Sequence, residues 1–179
     1  MSIPDDYLSD VSRRFHDLKT QADRAIAQLP DPALFEPLGP ESNSIAVLMR
    51  HMGGNLRSRW RDFLTTDGEK PDRDRDGEFA APPDRTRAAV TADWESGWAC
   101  LFDELARLGG DDLARIVTTR HEPMTALSAI NRQLLHAAQH VGQIILLARH
   151  AVPDTWQTLT IARGQSAAFN ESMKRRFGR

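Results

Sequence analysis

His136 and His140 stand four residues apart within a stretch of helical periodicity. That spacing sets them about 40° apart around a helix and one turn along it, so both imidazoles can reach one ion. Two such ligands bind weakly, and a third is required. His51 is the best candidate, because it lies in another apolar-periodic segment, flanked by Leu48 and Met52 and away from the charged loops. Three neutral imidazoles suit zinc, nickel or ferrous iron. A histidine on an apolar face is also commonly a satisfied core residue, and composition by itself leaves both roles open. His16, His121 and His150 have no helical partner at ligand spacing and read as surface or loop histidines.

Helical spacing also names the groups that could support the three ligands. Asn55 lies one turn from His51, and Arg132 and Gln133 lie one turn before His136. Gln143, three residues after His140, can orient an imidazole or bond across the helices. Arg132 could hold an anionic substrate, while ordinary ion pairs with surface carboxylates are the plainer role for Arg132 and Arg59. Cys100 has neither a neighbouring histidine nor a helix N-terminus to lower its pKa, which argues against a catalytic thiol. Gly164 and Ser166 have no preceding strand and read as a turn rather than a nucleophile elbow.

These groups need rigid elements to hold them. Leu8, Val11, Phe15, Leu18, Ala22, Ala25, Ile26 and Leu29 recur at three- and four-residue steps, which predicts a helix over about 5–29, closed by Pro30 and Pro32. Similar stripes predict helices over about 43–66, 84–109 and 123–151, with Ser42 to Ser44 capping the second, Asp84 the third, and Pro123 in the first turn of the fourth. Trp60, Trp94 and Trp98 fall on these stripes and read as core. The stretch from Thr66 to Asp84, rich in Asp, Arg, Gly and Pro, reads as a crossover or functional loop. Ile116 to Arg120 reads as a short extended piece. The tail, 152–179, is expected to pack as an extended segment followed by a short helix near 167–176. The expected fold is therefore all-α: one domain over 1–179, a four-helix bundle whose long connection is a crossover or a functional loop.

The balance of 23 Lys and Arg against 25 Asp and Glu gives no net field favouring nucleic acid or anionic lipid, and points to a small-molecule partner. Four basic residues at the C-terminus, Lys174, Arg175, Arg176 and Arg179, have no interleaved aromatics and read as a solvated tail. No apolar run approaches the length of a membrane span, the N-terminus carries no leader pattern, and a single cysteine fits a reducing compartment, so a cytoplasmic location is expected.

Several segments resemble the DinB/YfiT-like superfamily of metal-binding helical bundles. They are Leu48-Met49-Arg50-His51-Met52-Gly53-Gly54-Asn55, Phe63 to Glu69, Asn131 to His136 with His140 to Ile144, and Trp156 to Asn170. Arg120-His121-Glu122-Pro123 looks like a family turn that more often has glycine where His121 stands. The resemblance implies a four-helix bundle, often a homodimer, with His51, His136 and His140 on a divalent transition metal whose remaining positions stay open. Related members are thiol transferases or isomerases, in which the metal binds and activates the thiolate of a low-molecular-weight thiol. An open position would equally permit hydrolysis through a bound water. The expected function is thus a metal-dependent thiol-S-transferase or hydrolase, against a non-catalytic, stress-associated bundle whose ion only locks helices together.

Overall fold

The computed structural model describes residues 2–80 and 84–178. Helix α1 runs Ile3–Ile26, α2 Ile45–Trp60, α3 Arg75–Phe79, α4 Arg87–Leu105, α5 Ala126–Ala151 and α6 Ser166–Phe177. Strands β1, Ile116–Thr119, and β2, Glu122–Thr125, pair antiparallel between α4 and α5. The described chain is mostly helical with one small sheet, so the all-α expectation needs a two-stranded hairpin added.

Local chemistry explains where the helices begin and end. Ser2 and Asp5 form a reciprocal capping box that starts α1 two residues ahead of the expected boundary, with Pro4 inside its first turn. Ser44 caps α2 by accepting from the Val47 N–H. That helix stops at Trp60, short of the expected 66, because Asp62 takes a left-handed conformation (φ 52°) that a helix cannot continue through. Thr86, not Asp84, caps α4, and that helix ends at Leu105, ahead of Gly109 and Gly110. Residues 81–83 of the long connection lie outside the described residues. Pro123 belongs to β2, opposite Thr118, and α5 starts three residues later on a Thr125 cap that accepts from the Ser128 N–H. A proline costs nothing on the free side of a two-stranded ladder, so the hairpin extends to the residue that can cap.

The long helices pack α2 on α4 and α1 on α5, with α2 also meeting α5 and α1 meeting α4. Their shared core centres on Phe15, whose ring meets Trp60 and Trp98 edge-on at centroid distances of 6.1 and 6.4 Å. All three are buried, as is Trp94, whose indole N–H donates to Asp23 at 2.8 Å and ties α4 to α1. Tyr7 ties α1 to α5 through a 2.9 Å bond to Asn131. Helices α2 and α4 approach through glycine: a Cβ on Gly97 would fall 2.6 Å from the Gly53 Cα, so neither position admits a side chain without moving the helices apart. This contact holds α2, and therefore His51, at a fixed depth. The tail folds as α6, whose residues are all exposed.

Candidate metal centre

His51 projects from the middle of α2 and is only 4% exposed, while His136 and His140 project from successive turns of α5. The α2–α5 contact brings the three together. The Nε2 atoms of His51 and His136 lie 3.3 Å apart, those of His140 and His136 3.2 Å, and one ligand atom from each of the three residues lies within 4.8 Å of the others. Two nitrogens bound to one zinc ion at about 2.0–2.1 Å and a near-tetrahedral angle stand roughly 3.3 Å apart, so the spacing fits an ion. The cluster could hold a metal.

The Nδ1 side of each ring decides the protonation state. His51 Nδ1 faces the Glu78 Oε2 at 2.9 Å, and His140 Nδ1 faces the Gln143 Oε1 at 2.8 Å. Both partners are acceptors, so both rings carry hydrogen on Nδ1 and turn bare Nε2 lone pairs inward. His136 Nε2 meets both lone pairs and, with at most one hydrogen there, can answer only one. A cation between the three resolves the conflict, and outer-shell acceptors of this kind are what ligating histidines normally have. Burial, then the neighbouring His140 and His51, lower the His136 pKa to about 3, so its ring is neutral near pH 7 and available as a ligand. Burial likewise lowers the His140 pKa, against the Gln143 bond, which raises it.

Glu78 comes from α3, inside the connection that reads as a crossover or functional loop. Its carboxylate accepts from Arg73 Nε and Nη2 at 2.8 and 2.9 Å as well as from His51. Burial alone would raise its pKa, but the Arg73 and His51 bonds outweigh that and hold it below the usual range, so Glu78 is ionised. Gly54 makes room: a Cβ there would lie 2.2 Å from the Glu78 Oε1. No helical spacing connects residues 78 and 51, so the sequence carries no signal for this pair, and only the structure shows the short helix that starts on an Asp74 cap.

The histidines form one end of a cavity of about 330 Å³. Trp60, Phe63, Phe79, Val117 and Met124 supply apolar wall, and Asn55, Arg59, Arg132 and Gln133 also line it. Asn55, the residue one turn from His51, leaves its Oδ1 buried without a partner. Gln133 reaches His136 Nδ1 only at 3.5 Å, so its support is weak beside that of Gln143. Arg59 and Arg132 are both ion-paired, with Glu69 at 3.0 Å and Glu122 at 3.2 Å, and both still face the cavity.

The hairpin completes the wall. Arg120 and His121 occupy its turn with φ of 54° and 65°, the left-handed region that usually calls for glycine. Asp67 makes this conformation tolerable by accepting from both of their backbone N–H groups at 2.8 Å. These bonds and one from the Glu69 N–H outweigh burial and hold the Asp67 pKa far below the usual carboxylate range. The turn so fixed sends the Arg120 side chain to the cavity and leaves His121 exposed. His16, stacked on Phe102, and His150 are also exposed and remote from the cluster. Cys100 is half-buried, and burial raises its pKa.

Fold and site together define a mostly helical protein with three histidines gathered at the end of a cavity. Residues 2–165 match the model of a family of proteins of unknown function, DUF1572, and the chain belongs to that family. No curated protein matches it. No helix among the described residues is long and apolar enough to cross a membrane.

Proposed function

We propose that this protein is a DinB-like four-helix bundle and a metalloenzyme, with His51, His136 and His140 holding one divalent transition metal, zinc or nickel before iron. The observation that carries the reading is the cavity at the inward Nε2 atoms, with no fourth His, Cys, Asp or Glu in the cluster among the described residues. The nearest carboxylate, Glu78, bonds the far side of the His51 ring instead of competing for the ion. A structural site closes its fourth position with protein, and a catalytic one keeps it open.

The reaction we favour is thiol-S-transfer at a low-molecular-weight thiol. A bound divalent ion would supply Lewis acidity, lowering the pKa of a thiol so that thiolate is present near neutral pH. The chain's own residues do the rest. Glu78 and Gln143 hold two imidazoles in the tautomer that binds, and the aromatic wall excludes water from one side of the site. Hydrolysis is the competing chemistry for an open site, and a purely structural ion is the non-catalytic alternative. The protein is proposed to work in the cytoplasm, since a single cysteine suits a reducing compartment, and as a homodimer, a reading that rests on the resemblance of the sequence.

The first test is elemental analysis of protein purified without affinity tag or chelator, beside a His136→Ala, His140→Ala double variant. Near one equivalent of a transition metal is expected in the parent and little in the variant. A parent that neither carries metal nor takes up added zinc or nickel refutes the site. Cobalt-substituted protein titrated with a small thiol then separates the roles: a changed visible spectrum supports an open position, and an unchanged one supports a structural ion.

A further inference from the structure

Five arginines line the cavity: Arg59, Arg73, Arg75, Arg120 and Arg132. Among the described lining residues there is no Asp or Glu. Their counter-charges sit behind the wall and are shared. Glu69 serves Arg59 at 3.0 Å, Arg120 at 2.9 Å and Arg73 at 3.7 Å, while Glu78, Glu122 and Asp76 answer Arg73, Arg132 and Arg75. Five guanidiniums thus share four ion-paired carboxylates, with Asp67 bonded to the turn behind them, and a divalent ion would add positive charge on the cavity side. A concave wall of one sign focuses field and concentrates ligands of the other.

The guanidiniums differ in depth. Arg73 and Arg59 have side chains 4% and 17% exposed, whereas those of Arg120 and Arg132 are both 56% exposed and stand where an entering ligand meets them first. Each of these two holds its carboxylate through a single short bond in the chain, leaving further N–H donors. The backbone N–H groups of the hairpin turn, which could have cradled a phosphate, are spent on Asp67. What remains for an anion is the planar guanidinium fork, which matches carboxylate and phosphate alike, so the apolar lining beside it is what favours an organic acid over inorganic phosphate. Trp60, Phe63 and Phe79 line the same cavity.

We infer that this cavity takes a small organic carboxylate with an apolar body, its carboxylate held by Arg120 and Arg132 and its body laid along the aromatic wall toward the histidines. The inference deepens the metalloenzyme reading and rests on it for any reaction, but the arginine wall holds the carboxylate without the ion. The substrate that meets the thiol is then an organic acid.

The test measures binding of 3-phenylpropanoate, of 3-phenylpropan-1-ol as its neutral counterpart, and of inorganic phosphate by isothermal titration calorimetry. Metal-loaded and metal-free protein are both used, for the parent, for Arg120→Gln/Arg132→Gln and for the remote Arg149→Gln. In both forms of the parent the carboxylate is expected to bind about tenfold or more tighter than the alcohol, which loses a charge-assisted bond, and than phosphate, which loses the apolar contact. The double variant should lose about tenfold, and Arg149→Gln should lose nothing. Equal binding of the alcohol or of phosphate overturns the inference. So does a folded double variant that binds like the parent, or carboxylate binding that appears only with metal. If the double variant does not fold, the ligand comparison in the parent decides alone. A protein that takes up no metal yet binds the carboxylate refutes the metal reading and leaves this one standing.

Discussion

Replacing Glu78 by glutamine keeps the shape of the side chain and removes its charge, so it isolates what the carboxylate does for His51. The carboxylate accepts three bonds, one from His51 at 2.9 Å and two from Arg73 at 2.8 and 2.9 Å. Arg73 is almost fully buried and one of its nitrogens, Nη1, already lacks a hydrogen-bond partner. Stripping a buried ion pair of one partner costs about 3–5 kcal/mol. Here the amide oxygen can still accept one bond, and Glu69 stands 3.7 Å from Arg73, so the low end, about 3 kcal/mol, applies. For a chain of this size that lowers the melting temperature by roughly 6–12 °C. Loss of the outer-shell carboxylate should also weaken metal binding by about 10–100-fold. Chelator competition for zinc measures the second effect, and thermal unfolding of metal-free protein the first. An affinity within about twofold of the parent would refute the positioning role, because the expected loss is far larger. Lower stability with unchanged affinity would leave Glu78 as a partner of Arg73 alone.

Gly54→Ala should reproduce the loss of metal affinity with the carboxylate still present, since the new methyl would fall 2.2 Å from the Glu78 Oε1; unchanged chelator competition would contradict that packing. Protonation of His136 is favoured in the unfolded chain, because its folded pKa is about 3 against 6.5 for a free imidazole. The metal-free protein should therefore keep this contribution above pH 6.5 and lose stability progressively as the pH falls from 6.5 toward 3, and a melting temperature independent of pH across that window would refute it. Asp67→Ala leaves two left-handed residues without their shared acceptor and should cost about 1–3 kcal/mol. Restoring glycine at His121 in that background should recover part of the loss, and no recovery would show that turn strain is not its source.

Much of the helical framework was legible because amphipathic periodicity is a local property: the stripe that begins at Leu8 and the one that ends near Leu147 each declare a buried face without reference to anything else. The i, i+4 histidine pair was legible for the same reason, since one helix turn fixes the distance between its members. Gln143 followed from the same geometry. Only half of the hairpin was legible: Ile116 to Arg120 reads as extended and forms β1, but Pro123 reads naturally as a helix start, and only the pairing of Thr118 with Pro123 and Thr119 with Glu122 shows otherwise. The role of the charged connection was not legible. Asp67, Glu69, Arg73 and Glu78 show no periodic pattern in the sequence, and each acquires a specific partner only in the folded chain: Asp67 on the hairpin turn, Glu69 on Arg59 and Arg120, and Glu78 on Arg73 and His51. Sequence alone determined the four long helices, the paired imidazoles and the near-neutral charge. Tertiary structure decided that His51 meets the pair, that Glu78 turns its ring, and that five arginines face one cavity, because those relations join residues whose separation along the chain carries no periodic signal.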